Sequence, residues 1–400
     1  MAKHTKRECP ICGSRSKKLL FQQRFDTILL VEGYSVVVCA RCGFGFADEI
    51  PEQQDFDDYY RDLSKFEHEH RDGKESQSDE ARLLAVADLL ARFIPDSNSR
   101  VLDIGCSTGR LLAALKEKGF FKVCGLDPSP GCAVAAKKLY GIPVHTGTFS
   151  SLSQLNGTFD FVVMIGVLEH IRDLKGVLAT FETILTPKAR VYIDVPDATQ
   201  FADWPDAPFQ EFSTEHINFF SARSLVNLMQ VHGWECRFSQ KAHRLYTETT
   251  VIPSVEAVFE RTHQEGSWAR DDETEPRLRE YILQSQEIDT QVRGLLTRHA
   301  GSPSIILWGI GTHTQRLLAA DALEGLNIAL FVDSNPKYHG KKLRGIPVVS
   351  PHELKSRKEP ILICSRVFQL EIQKQIREEL NLTNELLLLY DLPEKGASTR

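Results

Sequence analysis

Residues 101–112, VLDIGCSTGRLL, decide the fold. Val101 to Ile104 read as a buried strand, Gly105 and Gly109 bracket a tight turn, and RLLAALKEKG opens a helix. Glycines at such a bend let a ligand lie against bare backbone at a helix N-terminus. Asp103 stands two residues before the first glycine. A bend that receives a pyrophosphate rarely carries a negative charge there, whereas a cationic ligand is drawn to one.

The neighbouring sequence extends this reading. Asp127 closes the next strand (KVCGLDPS), 18 residues after Gly109, where a carboxylate can accept hydrogen bonds from both ribose hydroxyls of a nucleoside. HTGTFSSL offers Phe149 as a cover for an adenine, and FDFVVMIGVL is a strand whose end, Met164 to Gly166, borders the same place. Asp103, Gly105, Cys106, Gly109, Asp127, Pro128, Phe149 and Ile165 form the candidate cofactor set, and S-adenosylmethionine, with its ammonium and sulfonium, suits the acid at 103. Strand and helix patterns alternate through RVLDIG, KVCGLDP, GCAVAAKKLYG, FDFVVMIGVL and ARVYIDVP, which specifies an α/β, Rossmann-like parallel sheet covered by helices. A second series starts near residue 302 (SIILWGIG, THTQRLLAADALEG, NIALFVDSNP, PILICSR, ELLLLYD). It implies a second, C-terminal Rossmann-like domain, with Gly309 and Gly311 in its first turn and Asp333 after its next strand.

The 400 residues are too many for one ordinary core. With 48 basic and 54 acidic side chains, the net charge is −6 and the charges are mixed along the chain, which argues against a nucleic-acid partner. The start, MAKHTKRECPICG, has no apolar signal core, and no stretch reaches the ~18 consecutive apolar residues of a membrane span. A cytoplasmic protein is expected, without a membrane partner. The expected organisation is a β-rich module over 1–50, a connector or lid with one helix over 51–98, the Gly-rich core over 99–250, a helical bridge over 251–300 beginning at VEAVFERTHQEG, and the C-terminal domain over 301–400.

Cysteines mark the first module. Cys9 and Cys12 form one CxxC pair, 26 residues follow, and Cys39 and Cys42 form the second, with glycine after each (CPICG, CARCG). Two knuckles of this kind point four thiolates at one Zn2+ and leave a tetrahedral ion no open position, so a structural role is expected.

Residues 99–250 resemble the class I S-adenosylmethionine-dependent methyltransferases, in which an acid, the glycines and a second-strand acid occur in this order. The whole layout, a four-cysteine module, this core and a C-terminal α/β domain, resembles the zinc-containing nucleotide-sugar C-methyltransferases of deoxysugar biosynthesis. That resemblance implies a small-molecule substrate, a nucleotide-linked sugar, lying between core and C-terminal domain. It also places a Glu-His pair after the fifth core strand, where E215-H-I-N-F-F-S221 stands. Open α/β sheets bind ligands at the carboxyl ends of their strands, and this loop leaves such an end. His216 can then be a base or an enolate hydrogen-bond donor, with Glu215 orienting it or acting as the base. The family commonly has a tyrosine two residues before the pair, where this chain has Ser213. C- and O-methylation therefore both remain open, as do another small-metabolite acceptor and a macromolecular partner docked through the zinc module. His170 (VLEHI) is a further catalytic candidate. Asp197 faces the same cleft or caps a turn, and Tyr59 and Tyr60 are weaker candidates beside a packing role.

Overall fold

The computed structural model describes residues 4–26, 30–63, 75–204, 206–247, 250–262, 264–301 and 303–391, arranged around three sheets. The central sheet has seven strands in the order Val144–Thr146, Val123–Asp127, Val101–Ile104, Phe159–Ile165, Leu185–Pro196, Val251–Arg261, Trp234–Leu245. The first five run parallel, and Val251–Arg261 is antiparallel to both its neighbours. All four residues of Val101–Ile104 are buried, because helices cover both faces of a central parallel strand. Gly109 takes a left-handed conformation (φ +81°) and starts helix Arg110–Glu117, while Ser129 caps helix Pro130–Tyr140 by accepting the Cys132 N–H. Strand order reverses between Val101–Ile104 and Phe159–Ile165, so a crevice opens at the carboxyl ends of this pair.

One expectation fails here. The segment expected to begin a helical bridge at residue 251 is the strand Val251–Arg261, and the bridging helix is Thr274–Arg298. The acids in VEAVFER suggested an amphipathic helix, but in the sheet Glu256 accepts from Gln240 and Glu260 pairs with Arg190. Apolar residues on both faces then pack inside the sheet, where Val255, Ala257, Val258 and Phe259 are all buried. The core thus continues to residue 261. Helix Thr274–Arg298 joins two cores, with Leu278, Tyr281 and Ile282 against the N-terminal module and Val292 and Leu296 in the C-terminal domain.

The N-terminal module is an antiparallel sheet of Lys17–Arg24, Gly33–Cys39 and Gly45–Asp48, completed by a strand from the core, Asn218–Phe219, which pairs Gly45 with Phe219 and Phe46 with Asn218. The connector, expected to hold one helix, holds two, Gln53–Leu63 and Gln77–Leu90, the first anchored by the burial of Phe56, and its residues 64–74 lie outside the described residues. The C-terminal domain holds six strands in the order Lys342–Leu343, Ile346–Val349, Ile328–Val332, Ile305–Trp308, Ile361–Ile363, Leu386–Leu388, parallel except for the first. It meets the rest of the chain through Arg366 on Asp206 (2.5 Å), the Phe368 ring on Tyr246, and the Asp26 N–H on the Gln315 carbonyl. Among the described residues no helix is long and apolar enough to cross a membrane.

Candidate active site

The glycine bend has the shape the sequence implied. Gly105 is left-handed (φ +75°), and a Cβ there would meet the Val167 side chain at 2.7 Å. Asp103 is 4% exposed, and among the described residues no protein donor meets its carboxylate. Burial, reinforced by the charge of Asp127, pushes its pKa well above the ordinary carboxylate range. A buried carboxylate without a protein partner is costly unless a ligand cation supplies one, which is the fit an ammonium at this bend makes. Asp127 is held by the N–H groups of Ser107 and Ser129, both at 2.9 Å, one on each oxygen, which fixes the carboxylate at the end of its strand. Cys106 is buried against Gly125, where any Cβ would strike its sulfur, and Pro128 follows Asp127 half-buried. Phe149 begins a short helical turn and packs half-buried beside the core, and Ile165 ends its strand across the crevice.

The second half of the crevice gathers side chains from three elements. Glu169 and His170 lie in the turn after strand Phe159–Ile165, Glu215 and His216 come from the loop before Asn218, and Tyr59 and Tyr60 come from helix Gln53–Leu63. Tyr59 donates to Glu215 Oε1 (2.9 Å), Tyr60 Oη contacts His170 Nδ1 (2.9 Å), and His170 Nδ1 lies 3.0 Å from the Glu215 carbonyl. The two imidazoles meet edge to face with centroids 4.9 Å apart, and among the described residues one oxygen of Glu169 has no hydrogen-bond partner. An oxygen of Glu169 and ring nitrogens of His170 and His216 lie within 4.8 Å of one another, close enough to act on one reacting group. Burial pushes the pKa of His170 down. It raises that of Tyr59 and Tyr60, with Glu215 adding to the rise in both.

The structure details the surroundings of the Glu-His pair. Glu215 turns one oxygen, Oε1, to the Tyr59 hydroxyl. The loop turns there because the Ser213 hydroxyl accepts the N–H groups of both Glu215 and His216. The carboxylate beside His216 is Glu211, a residue that sequence reasoning missed and that no motif singles out. Asp197 is the turn cap, accepting from the Thr199 N–H and hydroxyl and from Gln200. Tyr59 and Tyr60 hold site side chains rather than only packing. The signal available for them was two adjacent phenols in a helix whose other residues, Phe56 and Leu63 apart, are polar.

The N-terminal module supports this loop. The buried guanidinium of Arg7 donates to the carbonyls of Ala47, Ile217 and Arg172 and to Asn218 Oδ1, at 2.9–3.1 Å. Tyr34 donates to the Ser213 carbonyl and Gln23 to that of Phe212. In the knuckles, Cys9 and Cys42 sulfurs are 3.4 Å apart, those of Cys12 and Cys39 3.5 Å, and all four lie within 4.8 Å of one another. Tetrahedral thiolates on one ion stand roughly 3.8 Å apart. Gly13 and Gly43 are left-handed and bond back to the carbonyls of Cys9 and Cys39. In the C-terminal domain, Asp333 accepts the N–H groups of Ile310 and Asn335 beside Gly309 (φ +97°), so that turn is braced by its own acid.

Residues 78–237 match the family model described as a methyltransferase domain, and residues 302–386 match one described as C2185-like, N-terminal. The middle of the chain has the fold of the class I S-adenosylmethionine-dependent methyltransferases. Over 128 residues the chain is 31% identical to the ubiquinone biosynthesis O-methyltransferase of Rhizobium etli (strain CIAT 652), covering 31% of this chain and 50% of that protein. Over 272 residues it is 23% identical to the C-methyltransferase NovU of Streptomyces niveus, 63% of each. Among solved structures, the 1,6-didemethyltoxoflavin-N1-methyltransferase of Burkholderia thailandensis, with S-adenosylhomocysteine bound, is 20% identical with a TM-score of 0.40, over 56% of this chain and 96% of that one. The chain spans about half the length of the first curated relatives it matches.

Proposed function

We propose that the chain is a cytoplasmic S-adenosylmethionine-dependent methyltransferase acting on a nucleotide-linked sugar, with Zn2+ held structurally by Cys9, Cys12, Cys39 and Cys42. The observation that carries this is the buried, donor-less carboxylate of Asp103 at the glycine bend, with Asp127 across from it. Asp103 would hold the ammonium of the cofactor, Asp127 its ribose, and Phe149 and Ile165 would flank it. Bound there, the cofactor supplies an electrophilic methyl group.

What remains for the protein is to orient the acceptor, exclude water and move one proton. Helix Gln53–Leu63 lies over the crevice, tied at one end to Arg172 and Asp173 through Gln53 and along its length to Thr148 through Asp57, so it shields the site. Making a carbon nucleophile beside a ketone takes a base and a donor to the oxyanion, and two facing imidazoles supply that pair. This favours C-methylation of a keto sugar. O-methylation is the second reading, because a hydroxyl acceptor needs only the base and Ser213 brings no phenol to the loop. The similarity to the C-methyltransferase NovU, over 63% of each chain, supports transfer to carbon.

The test is to incubate the zinc-loaded protein with methyl-labelled S-adenosylmethionine and a panel of nucleotide keto sugars and ordinary nucleotide sugars, then locate the methyl by NMR. A carbon-bound label is expected. An oxygen-bound label selects the second reading, and absence of turnover on every sugar overturns the substrate class.

A further inference from the structure

Glu211 Oε2 lies 3.7 Å from Nδ1 of His216, an ion-pair contact rather than a full hydrogen bond, and the Glu211 side chain is 16% exposed. Its place is fixed, since its N–H donates to the Tyr281 hydroxyl on helix Thr274–Arg298 (3.0 Å). A carboxylate beside Nδ1 favours a proton there and stabilises the ring when a second proton sits on Nε2. His170 is held differently. Its Nδ1 lies between the Glu215 carbonyl (3.0 Å) and the Tyr60 hydroxyl (2.9 Å); the carbonyl only accepts and the phenol oxygen can, so a proton on Nδ1 satisfies both contacts and leaves the lone pair on Nε2.

Resting on the methyltransferase reading above, we propose that Glu211 is the positioning residue of His216, which as an imidazolium donates to the developing oxyanion of the acceptor, while neutral His170 is the base. In that step the acceptor C–H (or O–H) bond breaks and a bond from Nε2 of His170 to the proton forms. The electron pair stays on the acceptor, spread for a ketone onto the oxygen that His216 holds.

The groups facing His216 are Glu211 and Glu215 from its own loop and Glu169 and His170 from the opposite turn. Helix Gln53–Leu63 acts on them through Tyr59 and Tyr60. Burial opposes a charge on His216, but Glu211, then Glu169 and Glu215, outweigh it and the ring titrates above its ordinary value. On His170 burial prevails, although Glu169 and Glu215 raise it, and the ring titrates below. Two titratable groups pushed in opposite directions in one crevice divide the acid and base roles.

The experiment uses the full, zinc-loaded chain with side-chain ¹⁵N-histidine NMR and methyl-transfer rates across pH, for wild type, Glu211→Gln and Glu211→Asp. Glu211→Gln is expected to lower the His216 titration by about one unit or more, because a carboxylate a few ångströms away is lost. It should also cut kcat roughly tenfold or more with little change in KM. Because His216 must be protonated, the alkaline limb of kcat should move to lower pH by the same shift, and Glu211→Asp should restore part of both. An unmoved His216 titration in Glu211→Gln, or a reduced kcat whose alkaline limb stays in place, overturns the proposal. The titration needs no acceptor, so it tests the pair independently. A protein that shows the pair yet methylates no sugar refutes the substrate reading instead.

Discussion

Asp103→Asn separates ligand binding from folding at the glycine bend. In the folded chain this carboxylate is buried without a protein donor, and burial together with Asp127 raises its pKa well above normal. Asparagine keeps the volume and removes the charge. A hydrogen bond to a charged group contributes about 1.5–3 kcal/mol, so the affinity for S-adenosylmethionine should fall roughly 10- to 150-fold at 1.4 kcal/mol per decade. S-adenosylhomocysteine keeps the ammonium and should lose about as much. The ligand-free protein should be as stable as wild type or more so, because a buried unpaired charge has gone.

The pH dependence has a definite sign. Because the folded state raises the pKa of this acid, it binds a proton that the unfolded chain has already released, so that proton stabilises the ligand-free fold as pH falls from neutral through the raised pKa. The wild type should therefore gain stability relative to Asp103→Asn on mild acidification, while losing cofactor affinity as the carboxylate is neutralised. Titration calorimetry and thermal unfolding between pH 5 and 8 measure both, a range set around ordinary handling conditions. Equal affinities for wild type and variant would refute the reasoning about the bend, and a variant markedly less stable without ligand would show that a protein group pairs with Asp103.

Arg7→Met should remove four hydrogen bonds that pin residues 47, 172 and 217–218, a loss of about 3 kcal/mol in urea unfolding. Turnover should drop while cofactor affinity stays near wild type, and an unchanged urea midpoint would count against the bracing role. Stripping the four-cysteine knuckles with a chelator should unfold the module, since thiolates pressed together need the ion, and should release one equivalent of zinc per chain as read by a colorimetric zinc indicator. Activity should fall with the zinc because Gly45 and Phe46 pair with the strand that follows His216. Full activity after complete zinc loss would mean that the strand stands without its module.

The sequence by itself determined whatever depends on a short stretch of backbone. Asp103, Gly105 and Gly109 lie within one strand-turn-helix, and each CxxC knuckle is a single turn, so spacing and residue type already fix their geometry. Asp127 belongs with them, because the adjacent parallel strand is the next one in the chain. The tertiary structure alone decided which side chains meet His216. Glu215 is its neighbour in sequence, yet the Ser213 turn sends that carboxylate to Tyr59, and Glu211, five residues back, takes the place at Nδ1. Tyr60 reaches His170 across 110 positions and Arg7 reaches Asn218 across 211, contacts with no local signature. Likewise Val251–Arg261 becomes strand only because it is slotted between two others, where burial on both faces outweighs a helix-like spacing of charges. Local backbone preference is written in neighbouring residues, whereas the partner of a buried polar group is set by which distant segments the folded core brings within hydrogen-bond reach.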